Sequence, residues 1–588
     1  MIAHLSSPFV LLDDASDGGT ARLYQSPLRV IEAHAASEVR PALAAVRQGC
    51  GEGLHAAGFL SYEAGAAIEP RLAAREGGTT PLVWFALFDR FETIAGDQVA
   101  ALLPDPRGAW AAAPEPTIDR DTYESRLADV LELIAAGDIY QANLTFRASV
   151  RFDGDPLALY ARLRAQARAS YGAVIHTGRE LMLSLSPELF FRLDEGRLVA
   201  KPMKGTAARG ATLDEDRSAI ARLAGDAKQR AENLMIVDLV RNDLSRVARA
   251  GSVAAPALFT VETYPTIHQM VSEVTGELAP GRDAIDVIEA LFPCGSITGA
   301  PKIRASEVIA QVEAAPRGIY TGAIGRIDPG GDAMFNVAIR TLAIDEGSHA
   351  TLGLGSGIVA DSRAPEEWAE CLAKGGFVTA GQRPFDLIET MAFDPEEGIA
   401  LLDRHLARMK ASALAFGYPF DRHATRNELQ AATFRLRDRR RIRLLLAPSG
   451  AIAIHVSPLP APPAEATVAI AAHQVAPRDF RLRHKTSDRA FYDDPRRAAG
   501  TFEVAFVDRD GFLTEGSFTT LFVDRGGTLV TPPLARGLLP GVLRAELIDS
   551  GRAIEGDLTP DDLAGGFFIG NALRGLIPAV AVAKAPGL

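Results

Sequence analysis

Between Asp121 and Gly137 apolar side chains recur at Tyr123, Leu127, Val130, Leu131 and Ile134, and the run stops at a glycine. That spacing of three to four residues is one face of a helix, so a helix is predicted here. Denser apolar segments follow and read as strands: Leu144–Phe152, Gly172–His176, Leu181–Leu185, Leu189–Leu193 and Arg197–Pro202. Helical periodicity returns over Asp214–Val240, Asp283–Leu291 and Pro301–Val312. Residues 1–100 read as short strands and helices broken by Gly-rich turns, with Leu82–Phe91 among them. The Pro/Ala-rich stretch from Leu103 to Pro116 reads as a surface connector, and the glycines and proline of Lys374–Pro384 as a linker between domains. A fresh mixed pattern begins at Phe385, with a strand over Phe385–Met391 and a helix opening across Leu402–Ser412. Pro458-Leu-Pro-Ala-Pro-Pro463 marks a hinge between two sub-domains. There is no internal repeat and no sustained low-complexity tract.

Length and charge narrow the picture. A chain of 588 residues is too long for one hydrophobic core, so two or more domains are expected. With 47% hydrophobic and 23% charged residues the composition is that of a globular protein. A formal net charge of −12 argues against nucleic acid or an acidic membrane as a bulk partner. An anionic ligand must then be held by local cations or backbone N–H groups. The three cysteines, Cys50, Cys294 and Cys371, lie far apart, which suggests neither disulfides nor a zinc site. The opening Met1-Ile-Ala-His-Leu-Ser-Ser-Pro8 lacks the basic and apolar regions of a signal peptide. The apolar stretch Gly575–Val582 contains a proline and is too short to span a bilayer. The expectation is a cytoplasmic protein.

Several segments carry more glycine and isolated charge than a core needs. They are Gly137-Asp-Ile-Tyr-Gln-Ala-Asn-Leu-Thr145, Ser186-Pro-Glu-Leu-Phe190 and Lys201-Pro-Met-Lys-Gly-Thr206. The run Glu232–Asp243, then Cys294-Gly-Ser-Ile-Thr-Gly-Ala-Pro-Lys302 and Gly353-Leu-Gly-Ser-Gly-Ile-Val359, complete the set. Each alone is ambiguous. In order and spacing together, they resemble the chorismate-utilising family over residues 1–380, with an N-terminal subregion at 1–116 and a catalytic core at 117–380. The resemblance implies an α/β (α+β) fold built on a two-sheet β-sandwich with surrounding helices.

Chorismate carries two carboxylates. The resemblance makes Glu232 and Glu370 the ligands of a Mg²⁺ that bridges to one of them, a role that suits a hard cation with oxygen donors. Relatives often carry an acid where this chain has Gln229. The second carboxylate is expected at Arg340, Tyr320 and the backbone of Gly353, Gly355, Ser356 and Gly357, since arginine offers a planar fork and glycine lets backbone donors approach. Thr298 and His268 match positions near the ring, although a lone histidine is more often structural.

Two positions bear on the reaction. Family members that add water to the ring have a lysine base where this chain has Gln141, and glutamine is no base near neutrality. Anthranilate-forming relatives have a small alanine where this chain has Lys204. An unprotonated amine there would attack the ring carbon conjugated with the departing 4-hydroxyl, and ammonia would then displace it, leaving a para-amino group. Glu188, sixteen residues earlier, matches the general acid/base. No glutamine amidotransferase motif accompanies these segments, because Cys294 falls inside the chorismate signature. Ammonia is therefore expected from a separate glutamine amidotransferase subunit or from solution.

Past the linker, His484-Lys-Thr-Ser-Asp-Arg489, Leu513-Thr-Glu-Gly-Ser517, Leu538–Leu543 and Gly570-Asn-Ala-Leu-Arg574 resemble the fold-type IV pyridoxal-phosphate (PLP) enzymes over 385–588. These are two-subdomain proteins whose sites are usually completed in a homodimer. The resemblance makes Lys485 the lysine that holds the cofactor and Glu515 the partner of its pyridine nitrogen. Arg404, the amides at Gly541, Val542 and Leu543, Asn571 and Ala572 would then form the phosphate pocket. Relatives often have Asn at Thr520. Fusion to a para-aminating half favours elimination of pyruvate to p-aminobenzoate. Two alternatives remain: an anthranilate-type synthase joined to an aminotransferase, or an inactive docking module for the amidotransferase.

Overall fold

A computed structural model of the chain describes residues 8–72, 78–265, 267–345 and 349–582; the first seven residues of the opening stretch lie outside it. Two compact units emerge. The first comprises the chain up to Leu103, Ala113–Phe152 and Tyr160–Gly381, and the second comprises Pro104–Ala112, Asp153–Leu159 and Gln382 onward.

The first unit is a sandwich of two large, mainly antiparallel sheets. One contains Phe9–Asp13, Thr20–Gln25, Tyr171–His176, Leu181–Ser186, Thr341–Ile344, His349–Ile358 and Gln141–Gly154; the other contains Arg29–Ala33, His55–Leu60, Val83–Phe88, Ala323–Ile327, Ala333–Val337, Leu189–Asp194, Arg197–Ala200 and Ile267–Glu277. Val10, Leu12, Tyr24, Ile175 and Met182 of one sheet meet Phe59, Trp84, Phe88 and Ile324 of the other. Burial of each such side chain contributes about 1.5–3 kcal/mol, which holds the layers together. The outer face of the second sheet is covered by helices Ala36–Gly51, Ala227–Ser245 and Ala284–Leu291, whose Leu43, Val46, Ile236, Val240 and Ile288 are buried against it.

The second unit has two sub-domains. A four-stranded sheet (Gly398–Ile399, Leu387–Asp394, Arg440–Leu446, Ile452–Pro458) packs against helices Leu402–Phe416 and Arg422–Thr433. An eight-stranded mixed sheet begins at Ala466–Ala472, so Leu459–Glu465 joins the two, and Gly575–Ala581 is one of its strands. Among the described residues no helix is long and apolar enough to cross a membrane.

Three local expectations change. The helix read over Asp214–Val240 is two helices, Leu213–Gly225 and Ala227–Ser245, because the Asp226 carboxylate accepts the Gln229 N–H at 3.0 Å and restarts the helix. The stretch Leu103–Pro116 is more than a surface connector. Its Trp110 is 7% exposed and meets Phe416 edge-on at 5.1 Å inside the second unit's core. Lys374 belongs to the helix Ala364–Gly375, not to a linker.

Candidate functional site

In the first unit the long strands Gln141–Gly154 and His349–Ile358 run antiparallel, pairing Gly353 with Arg147, Gly355 with Thr145 and Gly357 with Asn143. On the other side of His349–Ile358, pairing with Thr341–Ile344 ends at Leu342–Leu352. Among the described residues the edge from Gly353 onward therefore has no strand partner on that side. Side chains crowd these glycines. A Cβ at Gly353 would lie 2.0 Å from the Tyr320 ring. A Cβ at Gly357 would lie 3.0 Å from Lys204 Nζ and 2.8 Å from Gln141 Nε2. The strand stays bare so that an amine and an amide can converge above it.

Lys204 stands on the short strand Met203–Ala208. Its register against Ile267–Glu277 slips between Met203 and Thr206, where Gly205 takes a φ of +94°. Such a bulge re-aims a side chain. Burial and the Lys374 ammonium lower the Lys204 pKa, against the raising effect of Glu232, Glu188 and Glu370. Gln141 is 1% exposed, and neither its Oε1 nor its Nε2 finds a partner among the described residues. A buried primary amide left without partners marks a place where a polar ligand belongs. Glu188, also buried, sits in the turn between Leu181–Ser186 and Leu189–Asp194, and Ser296 Oγ donates to its Oε1 at 2.6 Å. Burial raises its pKa to about 7, against the lowering effects of Ser296 and Lys204.

The remaining predicted residues fall into two groups. Arg340 adopts φ +50°, a strained conformation for a non-glycine residue, and burial lowers its pKa. Tyr320 is buried and its hydroxyl is pushed upward by burial. The Gly355 carbonyl accepts Lys374 Nζ at 2.9 Å, and Ser356 Oγ lies 3.2 Å from Tyr123 OH. Others serve the frame. His268 is fully buried, with Nδ1 3.0 Å from Thr263 Oγ1 and Nε2 2.8 Å from Asp216 Oδ1, so both ring nitrogens are engaged. Thr298 Oγ1 donates to the Cys294 carbonyl at 3.1 Å and shapes its turn.

Sequence reasoning missed a buried ion pair behind this site. Arg317 grips Glu313 through Nη2 at 2.7 Å and Nε at 2.9 Å, and donates to the carbonyls of Asn143 and Ile297 at 2.7 and 3.0 Å. Glu313 accepts the Thr145 N–H at 2.8 Å. The pair ties the strand that starts at Gln141 to the turn that carries Ser296. It also stacks on Tyr62, with the guanidinium 4.4 Å from the ring centroid.

The second unit holds a cavity of about 580 Å³, lined among others by Lys485, Glu515, Arg408, Thr520, Asn571 and Ala572. Burial and the cations of Arg408 and Arg489 bring the Lys485 pKa down to about 7. Burial raises Glu515 to about 7, although it accepts the Tyr492 hydroxyl and the Leu539 N–H. The helix Val542–Asp549 begins at the cavity wall behind Gly541, with no side chain capping it. Its first N–H groups are thus open to an anion. Arg404 is not brought here: it pairs with Glu546 at 2.8 Å and Asp549 at 2.7 Å. On this helix Arg408, one turn later, lines the cavity in its place. Its Nε and Nη2 hold Glu389 at 2.8 and 2.7 Å, and Nη1 donates to the Pro540 carbonyl at 3.0 Å. His405, 2% exposed, gives one nitrogen to Glu389 at 2.6 Å, while its Nε2 has no partner among the described residues.

Residues 8–380 match the chorismate binding enzyme family, well over half of the chain. The chain belongs to the chorismate binding enzymes. Residues 386–582 match the class IV amino-transferase family, so this chorismate binding enzyme carries a second domain of that family. It is 41% identical over 266 residues to aminodeoxychorismate synthase component 1 of Klebsiella aerogenes, covering 45% of this chain and 58% of that protein. Identity to aminodeoxychorismate synthase of Streptomyces griseus is 45% over 258 residues, covering 44% of this chain and 35% of that protein. Anthranilate synthase component 1 of Aquifex aeolicus is 40% identical over 255 residues, covering 43% of this chain and 51% of that protein. The chain thus spans from about a third to under two thirds of these relatives. The fold resembles anthranilate synthase component I of Streptococcus pneumoniae, with a TM-score of 0.54 and 24% identity over 64% of this chain and 93% of that one.

The residues of this chorismate binding enzyme fit the groups its two families imply. The Glu232 carboxylate has no hydrogen-bonded or ion-paired partner among the described residues, and Glu370 pairs with Lys374 at 2.7 Å. Both carboxylates bear on Lys204. Among the described residues no group of three or more His, Cys, Asp or Glu could hold a metal. Two carboxylates completed by water and substrate oxygens suit Mg²⁺, which keeps most of its coordination outside the protein. In the second unit Arg408, the helix start at Gly541 and the free His405 Nε2 can hold a phosphate, with Glu515 for a pyridine nitrogen and Lys485 for a covalent link.

Proposed function

We propose that the first unit aminates chorismate at the para position, giving 4-amino-4-deoxychorismate, and that the second eliminates pyruvate from it to give p-aminobenzoate. The observation that carries this reading is the convergence of Lys204 Nζ and the unpartnered Gln141 amide over Gly357. A lysine whose pKa is lowered by burial is a nucleophile, whereas the glutamine supplies hydrogen bonds and no base. Lys204 forms a C–N bond to the ring as the C–O bond of the 4-hydroxyl breaks. Glu188, near pKa 7, gives the leaving oxygen its proton, and Ser296 fixes the carboxyl that does so. Ammonia then forms the new C–N bond as the lysine leaves. Arg340 meets a substrate carboxylate, while Glu232 and Glu370 would hold a Mg²⁺ that neutralises the other.

Ammonia comes from a separate glutamine amidotransferase subunit, which agrees with the likeness to proteins called component 1. In the second unit PLP would supply an electron sink for charge developing on the substrate carbon. Lys485 takes the ring proton there and returns one as pyruvate leaves, and Glu515 would hold the protonated pyridine nitrogen. The reading is tested with Lys204→Ala, which should lose the para-amino product or divert amination to the ortho position, as followed by chromatography. Para product at the wild-type rate would rule out covalent catalysis.

A further inference from the structure

The cavity of the second unit holds more positive charge than a single phosphate requires. Eight arginine and lysine side chains line it, against the carboxylates of Asp493 and Glu515. Several of these cations are already committed. Arg408 holds Glu389, Arg481 is enclosed by Asp479 and Asp105, and Arg489 donates to the Ser517 carbonyl. Arg496, Arg574 and Arg441 are different. The guanidiniums of Arg496 and Arg574 lie 5.4 and 5.2 Å from the centroid of the Phe518 ring. Arg496 reaches only the Asp493 carboxylate, at 3.7 Å, and its buried Nε has no hydrogen-bond partner among the described residues. Arg441 donates from Nε to the Ser457 hydroxyl at 2.9 Å and meets no carboxylate among the described residues. The Arg574 guanidinium has no hydrogen-bonded or ion-paired partner among the described residues, and burial with the Arg441 and Arg496 cations lowers its pKa. Glu503, the carboxylate that bears on Arg574, is taken up by Ser517 and Thr519. Like charges gathered in a partly buried wall are unfavourable until an anion joins them.

We propose that Arg441, Arg496 and Arg574, the last two flanking Phe518, form a receptor for a substrate bearing two carboxylates. The phosphate side of the cavity, at the helix start behind Gly541 and His405 Nε2, is served without them. Guanidinium forks match carboxylates in bidentate fashion, and three forks suit two such groups on a compact ring better than the single carboxylate of an apolar amino acid. The inference rests on the lyase reading of this unit and deepens it: a ring with two carboxylates is the substrate class that the receptor selects.

Calorimetric titration of the full-length chain, with and without PLP, tests it with two probes, isophthalate and benzoate. The isophthalate binding that Arg574→Met removes belongs to this cavity. In wild type that binding should be at least tenfold tighter than benzoate binding, and Arg496→Met should weaken it roughly 10- to 100-fold, the usual scale for a charge-assisted hydrogen-bonded pair. Arg574→Lys should recover part of the loss, and unchanged melting temperatures would show that the variants fold. Isophthalate binding that is the same in wild type, Arg574→Met and Arg496→Met would overturn the receptor. A dicarboxylate preference that survives while Lys485 forms no PLP absorption band would overturn the lyase reading and leave the receptor standing.

Discussion

Replacing Glu188 by glutamine separates the chemistry of this carboxyl from its effect on folding. Its pKa rises from an ordinary 4.5 to about 7 because burial disfavours the ionised form more than Ser296 and Lys204 favour it. The folded protein therefore holds a proton here that the unfolded chain has already released. Stability from this group is fully present below pH 4.5 and is lost as the pH rises through 7. At about 1.4 kcal/mol per tenfold, the loss amounts to about 3 kcal/mol at pH 8. Glu188→Gln keeps the shape and cannot ionise, so it should be more stable than wild type at pH 8 by about 1–3 kcal/mol, with the difference vanishing near pH 4.5. Urea unfolding followed by tryptophan emission should show a midpoint on the order of 0.5–1 M higher at pH 8. The same variant should lose about 10²–10⁴-fold in amination rate. Equal midpoints at pH 8, or a difference that persists unchanged at pH 4.5, would refute the claim that Glu188 is held protonated by burial.

Gly357→Ala should cost tenfold or more in kcat/KM for chorismate, because its Cβ would press on Lys204 Nζ and Gln141 Nε2 at 3.0 and 2.8 Å. An unchanged kcat/KM would mean that those groups do not act together. Loaded with PLP, the chain should show a visible absorption band that borohydride bleaches, with no such band in Lys485→Ala. A band in that variant would assign the link to another lysine.

What could be read from the chain divides along physical lines. The helix at Asp121–Gly137 and the strands around Tyr171–Asp194 follow from local periodicity, and they form within a few residues of the segments expected. Lys204, Glu188 and Gln141 stood out through their place in a motif. Their convergence is a product of the bulge at Gly205 and of the Arg317–Glu313 pair, whose members look like ordinary surface charges on a helix end. Arg404, the arginine expected at the phosphate pocket, lies one helical turn from Arg408, the one on this helix that lines the cavity. Both lie in an Arg-rich helix start, and only the packing of Glu389 and Pro540 shows which one faces the cavity. Trp110 looked like part of a surface stretch because its neighbours are Pro and Ala, and its burial depends on aromatic residues about 300 positions away. Such long-range partners leave no periodic trace.

The central claim is that nitrogen enters the ring at the para position and that pyruvate is then lost. Purified full-length protein incubated with chorismate, ammonia, Mg²⁺ and PLP, with products separated by chromatography, tests it most directly. Equal amounts of p-aminobenzoate and pyruvate are the expected result, and anthranilate in place of p-aminobenzoate would contradict the claim.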